Sequence, residues 1–225
     1  MTDVPHSDRK PIVRQALSIA LAVMPFGLAF GIAAREAGLN IFEAMGFSSL
    51  VFTGSAQFAA VSVLSDGGSA VTAVLAGALL NLRSLAFGVA LAPVLKGSRW
   101  FRATAAQLMI DEAAAVGMAQ EKPADRRYGY LAGGLAVFVL WNLSTAAGVL
   151  FLGAMGDVVM QAGIDATIPA AFLALLWPRL SDARQRTIAL AGAVIALASV
   201  AVLPPGLPII AAGLAVALPR RRNRQ

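Results

Sequence analysis

Asn81 and Arg83 stand in the middle of an apolar run, and they are the first residues in the chain placed to do chemistry. From Ala70 to Leu95 there are 26 residues and one ionisable side chain, Arg83. On a single helix the guanidinium would lie roughly 18 Å from either end, at about 1.5 Å per residue. That is too far for it to reach a headgroup region along its own stem. A fixed cation at such depth must face protein or a water-filled cavity and have a partner there. Asn81 and Arg83 are two positions apart, about 200° around a regular helix. Either they meet different partners, or the helix is broken near them.

Candidate partners follow from residue type. Asp111 and Glu112 sit side by side at the centre of the otherwise uncharged segment 103–120. Adjacent carboxylates are costly in lipid unless one is protonated or paired. One of them is therefore expected to meet Arg83 or to carry a transported proton; the plainer alternative is a surface helix with both acids solvated. Thr53 and Gln57 are four apart and share a helical face beside Gly54, Ser55 and Ala56, as a substrate contact or as glue between helices. Met24-Pro25-Phe26-Gly27 interrupts another apolar run. Pro25 removes one ladder hydrogen bond, and Gly27 with Gly31 offers a small-residue surface for close helix approach. This reads either as a kinked packing helix or as a discontinuous helix whose freed backbone lines a site. Asp165 and Pro169 mark a similar stretch, Gly163-Ile164-Asp165-Ala166-Thr167-Ile168-Pro169.

The elements that must position these groups are transmembrane helices. Of 225 residues, 58% are hydrophobic and 13% charged, with mean hydropathy +0.74; a soluble domain carries about a quarter charged residues. The uncharged runs 15–34, 44–65, 128–156 and 187–219 each reach or exceed the roughly 20 residues a helix needs to span. They lack the alternation of a transmembrane barrel. The net charge of +6 is no nucleic-acid signal, because Lys and Arg cluster in short loops and at the tail, where orientation during insertion explains them. With no cysteine and one histidine, His6 in the polar N-terminal stretch, thiolate chemistry and histidine-based metal sites are excluded. Neither a metal nor a cofactor is expected. Residues 15–34 are too long, and lack a clean small-residue cleavage site, for a signal peptide.

The expected fold is all-α: a polytopic transmembrane helical bundle of about seven to eight membrane segments, some broken or re-entrant. Residues 1–14 form a cytoplasmic tail, 15–219 a single transmembrane transporter domain, and 220–225 a basic cytoplasmic tail. The segments are 15–34, 44–65, 69–95, 103–120, 128–156, about 158–178, 187–203 and 206–218, the last two joined at Pro204-Pro205-Gly206. Eight spans place Lys96, Arg99 and Arg102 outside, against the positive-inside rule. A re-entrant or surface 103–120 places them inside, but one of the first three segments must then fail to span. A faint inverted repeat relates 15–95 to 158–218, each opened by a Pro-bearing segment.

Five motifs together resemble the AzlC family, the large subunits of branched-chain amino-acid exporters. They are PFGLAFG at 25–31, FTGSAQF at 52–58, NLRSLAFG at 81–88, LMIDEAAAV at 108–116 and GIDATIPAAFLALL at 163–176. They stand in family order and cover nearly the whole chain, from about 12 to 218. The resemblance implies a secondary exporter in a bacterial inner membrane, multi-pass and paired with a small membrane subunit of the AzlD type. Members typically read Asn-x-Arg-His-x-x-Tyr-Gly in the third segment; here Ser84 and Phe87 replace the His and Tyr, so any role of that imidazole or phenol is absent.

The expected function is export of branched-chain or related aliphatic amino acids, coupled to the proton-motive force. Pro25, Gly27, Gln57, Asn81, Arg83 and Asp165 are the substrate-binding candidates, and Asp111 and Glu112 serve proton coupling or ion pairing. Arg83 or a broken helix N-terminus would take the substrate carboxylate, and an acid the ammonium. The alternatives are a structural or assembly subunit, a transporter of another small solute, a channel, or an intramembrane enzyme. The last lacks HExxH and GxSxG, and no GxxxxGK[ST] is present for nucleotide.

Overall fold

Helices α1 (Lys10–Glu36) and α8 (Pro123–Gln161) form the spine of the molecule, and the elements of both reversals pack against it. The computed structural model describes residues 9–161, 173, 177–204 and 207–217, without the side chains of 152–161, 178, 179 and 217. Expectations for His6, Asp165, Pro169, the Pro205-Gly206 turn and the basic tail fall outside the described residues.

The spine is parallel. Ile12 lies against Gly129, Gly27 against Trp141 and Ser144, and Gly31 against Thr145 and Val149, a constant sequence offset. A Cβ at Gly31 would fall on the Thr145 carbonyl oxygen, and one at Gly148 on that of Leu28. The small-residue stripe is what lets the two backbones approach, since apolar surroundings give helices little other drive to associate. α1 runs unbroken through Pro25, which corrects the discontinuous-helix expectation. Pro25 lies exposed on the outer side of the helix, and one missing ladder bond there is tolerated.

Between the spine helices the chain enters twice and turns back twice. Helix α2 (Ile41–Leu50) starts on a capping box: Asn40 Oδ1 accepts from the N–H groups of Phe42 and Glu43, and Glu43 accepts from Asn40. It descends beside α8, with Ser48 hydrogen-bonded to Thr145 and Ser49 to Asn142. At residues 51–53 the helix stops, and α3 (Gly54–Ser65) returns. The reversal is visible at Phe30, whose ring meets both Phe47 at 5.9 Å and Phe58 at 5.8 Å. In a straight helix those two would stand about 16 Å apart. Segment 44–65 is therefore two helices and not one span.

A turn at Gly67, whose φ of 76° suits glycine, leads into α4 (Ala70–Asn81), capped by Ser69 accepting from the Thr72 N–H at 3.1 Å. It runs back along α3, with Gly77 against Ala56. After Leu82 the chain bends by 44° into α5 (Arg83–Leu91). The break falls between Asn81 and Arg83, the second of the two arrangements their spacing allowed.

Helices α6 (Arg99–Gln107) and α7 (Asp111–Met118) form the second reversal. The Tyr130 hydroxyl donates to the Ala105 carbonyl, while Gly117 packs on the same tyrosine. Leu108 and Ala113 both meet Gly134. Arg127 holds the Lys96 carbonyl at 3.2 Å and lies over Phe101 at 4.1 Å, so both ends of this pair return to the end where α8 begins. That end also holds Arg9, bridged to Asp125 at 3.6 Å.

α1 and the Pro123–Phe151 part of α8 are each long and apolar enough to cross a membrane, and α4 with α5 makes a third crossing if the bent pair is one span. Five segments were expected before residue 157. The two hairpins, 41–65 and 99–118, account for the difference. The chain ends, as described, in a 3-10 turn (Trp177–Ser181), α9 (Ala183–Val200), α10 (Leu207–Ala212) and a second 3-10 turn (Gly213–Ala217). The repeat visible here differs from the one expected. α1 followed by α2–α3, and α4–α5 followed by α6–α7, are each a long element and a returning pair, entering from opposite ends.

Candidate functional site

The tips of the two hairpins meet. Gln107, the last residue of α6, donates its amide to the carbonyls of Ser49 at 2.8 Å and Leu50 at 3.1 Å. Gln57 Nε2 donates to the Ser48 carbonyl at 3.2 Å. Two amides thus satisfy carbonyls that the last turn of α2 leaves without helical partners, and they join three broken elements at one level.

Beside this junction lies a cavity of about 380 Å³. Its apolar walls come from Val23 and Phe26 on α1, Leu80 on α4, and Val137 and Trp141 on α8, with Phe52 and Ile110 from the hairpin tips. Its polar lining is Thr53-Gly54-Ser55, Arg83, and Asp111-Glu112. Each polar group stands where a helix begins: α3, α5 and α7. The first N–H groups of a helix have no intrahelical partner and carry part of its positive dipole end. Two acids in the first turn of α7 are on the side that this dipole stabilises.

Arg83 Nε lies 3.1 Å from Asp111 Oδ1, with side-chain exposures of 39% and 22%. This ion pair lies at the cavity. Ser84 donates to Asn81 Oδ1 at 2.7 Å and so ties the two sides of the α4–α5 break together.

The structure gathers Arg83, Asp111 and Glu112 in the cavity and places the other candidates around it. Gln57 is fully buried and serves as a tie between helices. Asn81 braces the break. Gly27 is buried against Ser144 and Trp141, and its carbonyl accepts from Thr145 at 3.3 Å. Pro25 faces outward. None of these four lines the cavity.

Sequence reasoning offered Thr53 as a substrate contact or as glue between helices, but missed Ser55 and Trp141 as cavity residues, and Gln107 as the tie. A signal for the first was present: Thr-Gly-Ser after an apolar run is a helix start. Such a site can hold a small molecule bearing both charges and exchange protons at its acids. Among the described residues no group of three or more His, Cys, Asp or Glu gathers as a metal site would.

Comparison with known proteins identifies the family. The profile described as AzlC protein matches residues 18–155. The chain is 32% identical over 208 residues, 92% of it and 91% of the relative, to a protein named as an uncharacterized membrane protein in Archaeoglobus fulgidus. It is 26% identical over 96 residues, 43% of it and 42% of the relative, to a membrane protein of Helicobacter pylori strain 26695 with the same wording. It is 28% identical over 78 residues, 35% of it and 32% of the relative, to the inner membrane protein YgaZ of Escherichia coli K12. No solved structure matches the chain.

Proposed function

The chain belongs to the AzlC family of membrane proteins, and from that premise we propose that it is the large subunit of a secondary transporter. In this reading it exports branched-chain or related aliphatic amino acids across the bacterial inner membrane. It crosses that membrane several times, works with a small AzlD-type membrane subunit and is coupled to the proton-motive force. The observation that carries the reading is the Arg83–Asp111 pair, held in a cavity where three helix breaks converge. Broken helices with charged groups at their junction are the usual form of a mid-membrane solute site, because freed backbone groups and side chains can replace a solute's hydration there. The apolar walls suit an aliphatic side chain. The substrate ammonium and a proton then compete for the acids of α7, which links release of one to binding of the other.

The test is efflux from cells lacking their own exporters, loaded with valine, leucine, isoleucine and methionine as dipeptides. This chain, with the small subunit supplied, should accelerate efflux of at least one of them. Arg83→Ala should abolish the gain at matched protein level. The same ion pair also suits a structural subunit in which it only ties α5 to α7. That second reading expects Arg83→Ala to lower the amount of inserted protein, with activity per molecule unchanged.

A further inference from the structure

Deepening the transporter reading on which it rests, we propose that the cavity holds the substrate's carboxylate at the start of α3, on Thr53, Ser55 and the Trp141 indole, and not on Arg83. The substrate class that follows is a small aliphatic carboxylate or amino acid, carboxylate toward α3 and any ammonium toward α7.

Two independent observations converge on that wall. One is the start of α3, a helix of 12 residues, whose first N–H groups carry positive partial charge. The other is a set of polar atoms with nothing to bond. Thr53 Oγ1, Ser55 Oγ and Trp141 Nε1 are each buried without a hydrogen-bond partner, and all three residues line the cavity. Thr53 is 8% exposed and Trp141 6%. A buried donor left without a partner costs about 1–3 kcal/mol, so three on one wall mark a place that an acceptor fills. All three are able to donate, and a carboxylate is the acceptor with enough lone pairs to take several donors at once.

The indole is held in place for the role. Its ring stacks on Phe30 at 6.3 Å, and a Cβ built on Gly54 would stand 2.9 Å from Trp141 Cη2. Glycine at that position is what lets the indole lie against the start of α3. Arg83, in contrast, is already engaged. A substrate carboxylate placed there would lie beside Asp111 as a second anion, which like-charge repulsion opposes.

The experiment uses full-length protein in lipid nanodiscs with Trp100→Phe and Trp177→Phe, so that Trp141 is the sole tryptophan. Its emission is titrated with leucine, with isovalerate (carboxylate without ammonium) and with isoamylamine (ammonium without carboxylate). Leucine and isovalerate should shift the emission saturably, and isoamylamine should not. Thr53→Val and Ser55→Ala should each weaken isovalerate by about tenfold, the scale of one hydrogen bond to a charged group. The doubly neutral Arg83→Gln/Asp111→Asn protein should still bind it. Retained thermal unfolding confirms that each variant is folded.

Three results would overturn the proposal: no carboxylate response, isoamylamine binding as well as isovalerate, or loss of isovalerate in the doubly neutral protein. If isovalerate binds at α3 while no amino acid is exported, the transporter's substrate reading falls and the carboxylate site stands.

Discussion

At the scale of the residue, the molecule turns on one charge pair whose members have unequal tasks. Arg83 is permanently charged, because nothing in a protein deprotonates a guanidinium, so it cannot carry a transported proton. Under the proposed function the proton passes through Asp111, which stands 3.1 Å from Arg83. Asp111→Asn keeps the shape and removes the titration. In everted vesicles it should make efflux insensitive to an imposed pH gradient, while exchange of labelled for unlabelled substrate across the membrane persists. Glu112→Gln should retain the gradient response. If Asp111→Asn still follows the gradient, proton coupling does not pass through this acid. How much of this site can be read from sequence depends on what each residue costs. A lone arginine and two acids in apolar runs are expensive, so their pairing is legible from composition alone. Thr53, Ser55 and Trp141 cost little in a helix, and their unsatisfied atoms become visible only once the fold brings α3 against α8.

At the scale of the element, hairpins and spans are told apart by signals weaker than hydropathy. Residues 44–65 are as apolar and as long as a crossing helix and 103–120 nearly so, and an apolar run does not reveal whether the chain reverses within it. The marks of reversal are local: the Thr-Gly-Ser helix start at 53–55, and the acids at 111–112, which favour a helix N-terminus over mid-helix. Pro25 pointed the wrong way: α1 runs unbroken through it, because membrane helices tolerate proline where neighbouring groups and local adjustment re-satisfy the freed backbone. What holds the reversed pairs in register is Gln107, whose amide reaches the Ser49 and Leu50 carbonyls from the other hairpin. Gln107→Leu keeps the bulk and removes both donors. It should destabilise the protein by about 0.5–1.5 kcal/mol, the usual net worth of a hydrogen bond, and should lower efflux by more than it lowers protein level. Unfolding in detergent and efflux per molecule measure the two effects separately. Gln107→Leu protein with full activity and stability would mean that the hairpin tips need no tie.

At the scale of the whole molecule, the two reversals bear on the orientation that the loops leave ambiguous. With both hairpins turning back, Arg9, Lys96 and Asp125 gather at one end, joined by the Arg9–Asp125 bridge and the bond from Arg127 to the Lys96 carbonyl. Every strongly basic segment before residue 128 then shares a side, as the positive-inside rule asks, and the conflict over Lys96, Arg99 and Arg102 disappears. An eight-span chain separates those same loops. The absence of cysteine makes the protein its own background for a labelling test. Single cysteines at Ser98 and Glu121, on either side of the α6–α7 hairpin, should both react with a membrane-impermeant maleimide only from the cytoplasmic face. Cysteines at Asn40 and Asp66, on either side of the α2–α3 hairpin, should both react only from the opposite face. If Ser98→Cys and Glu121→Cys label from different faces, residues 103–120 cross the membrane. The acids at 111–112 would then have to be reached along a continuous helix, and neither a cavity between two hairpin tips nor an alternation of access around it would survive.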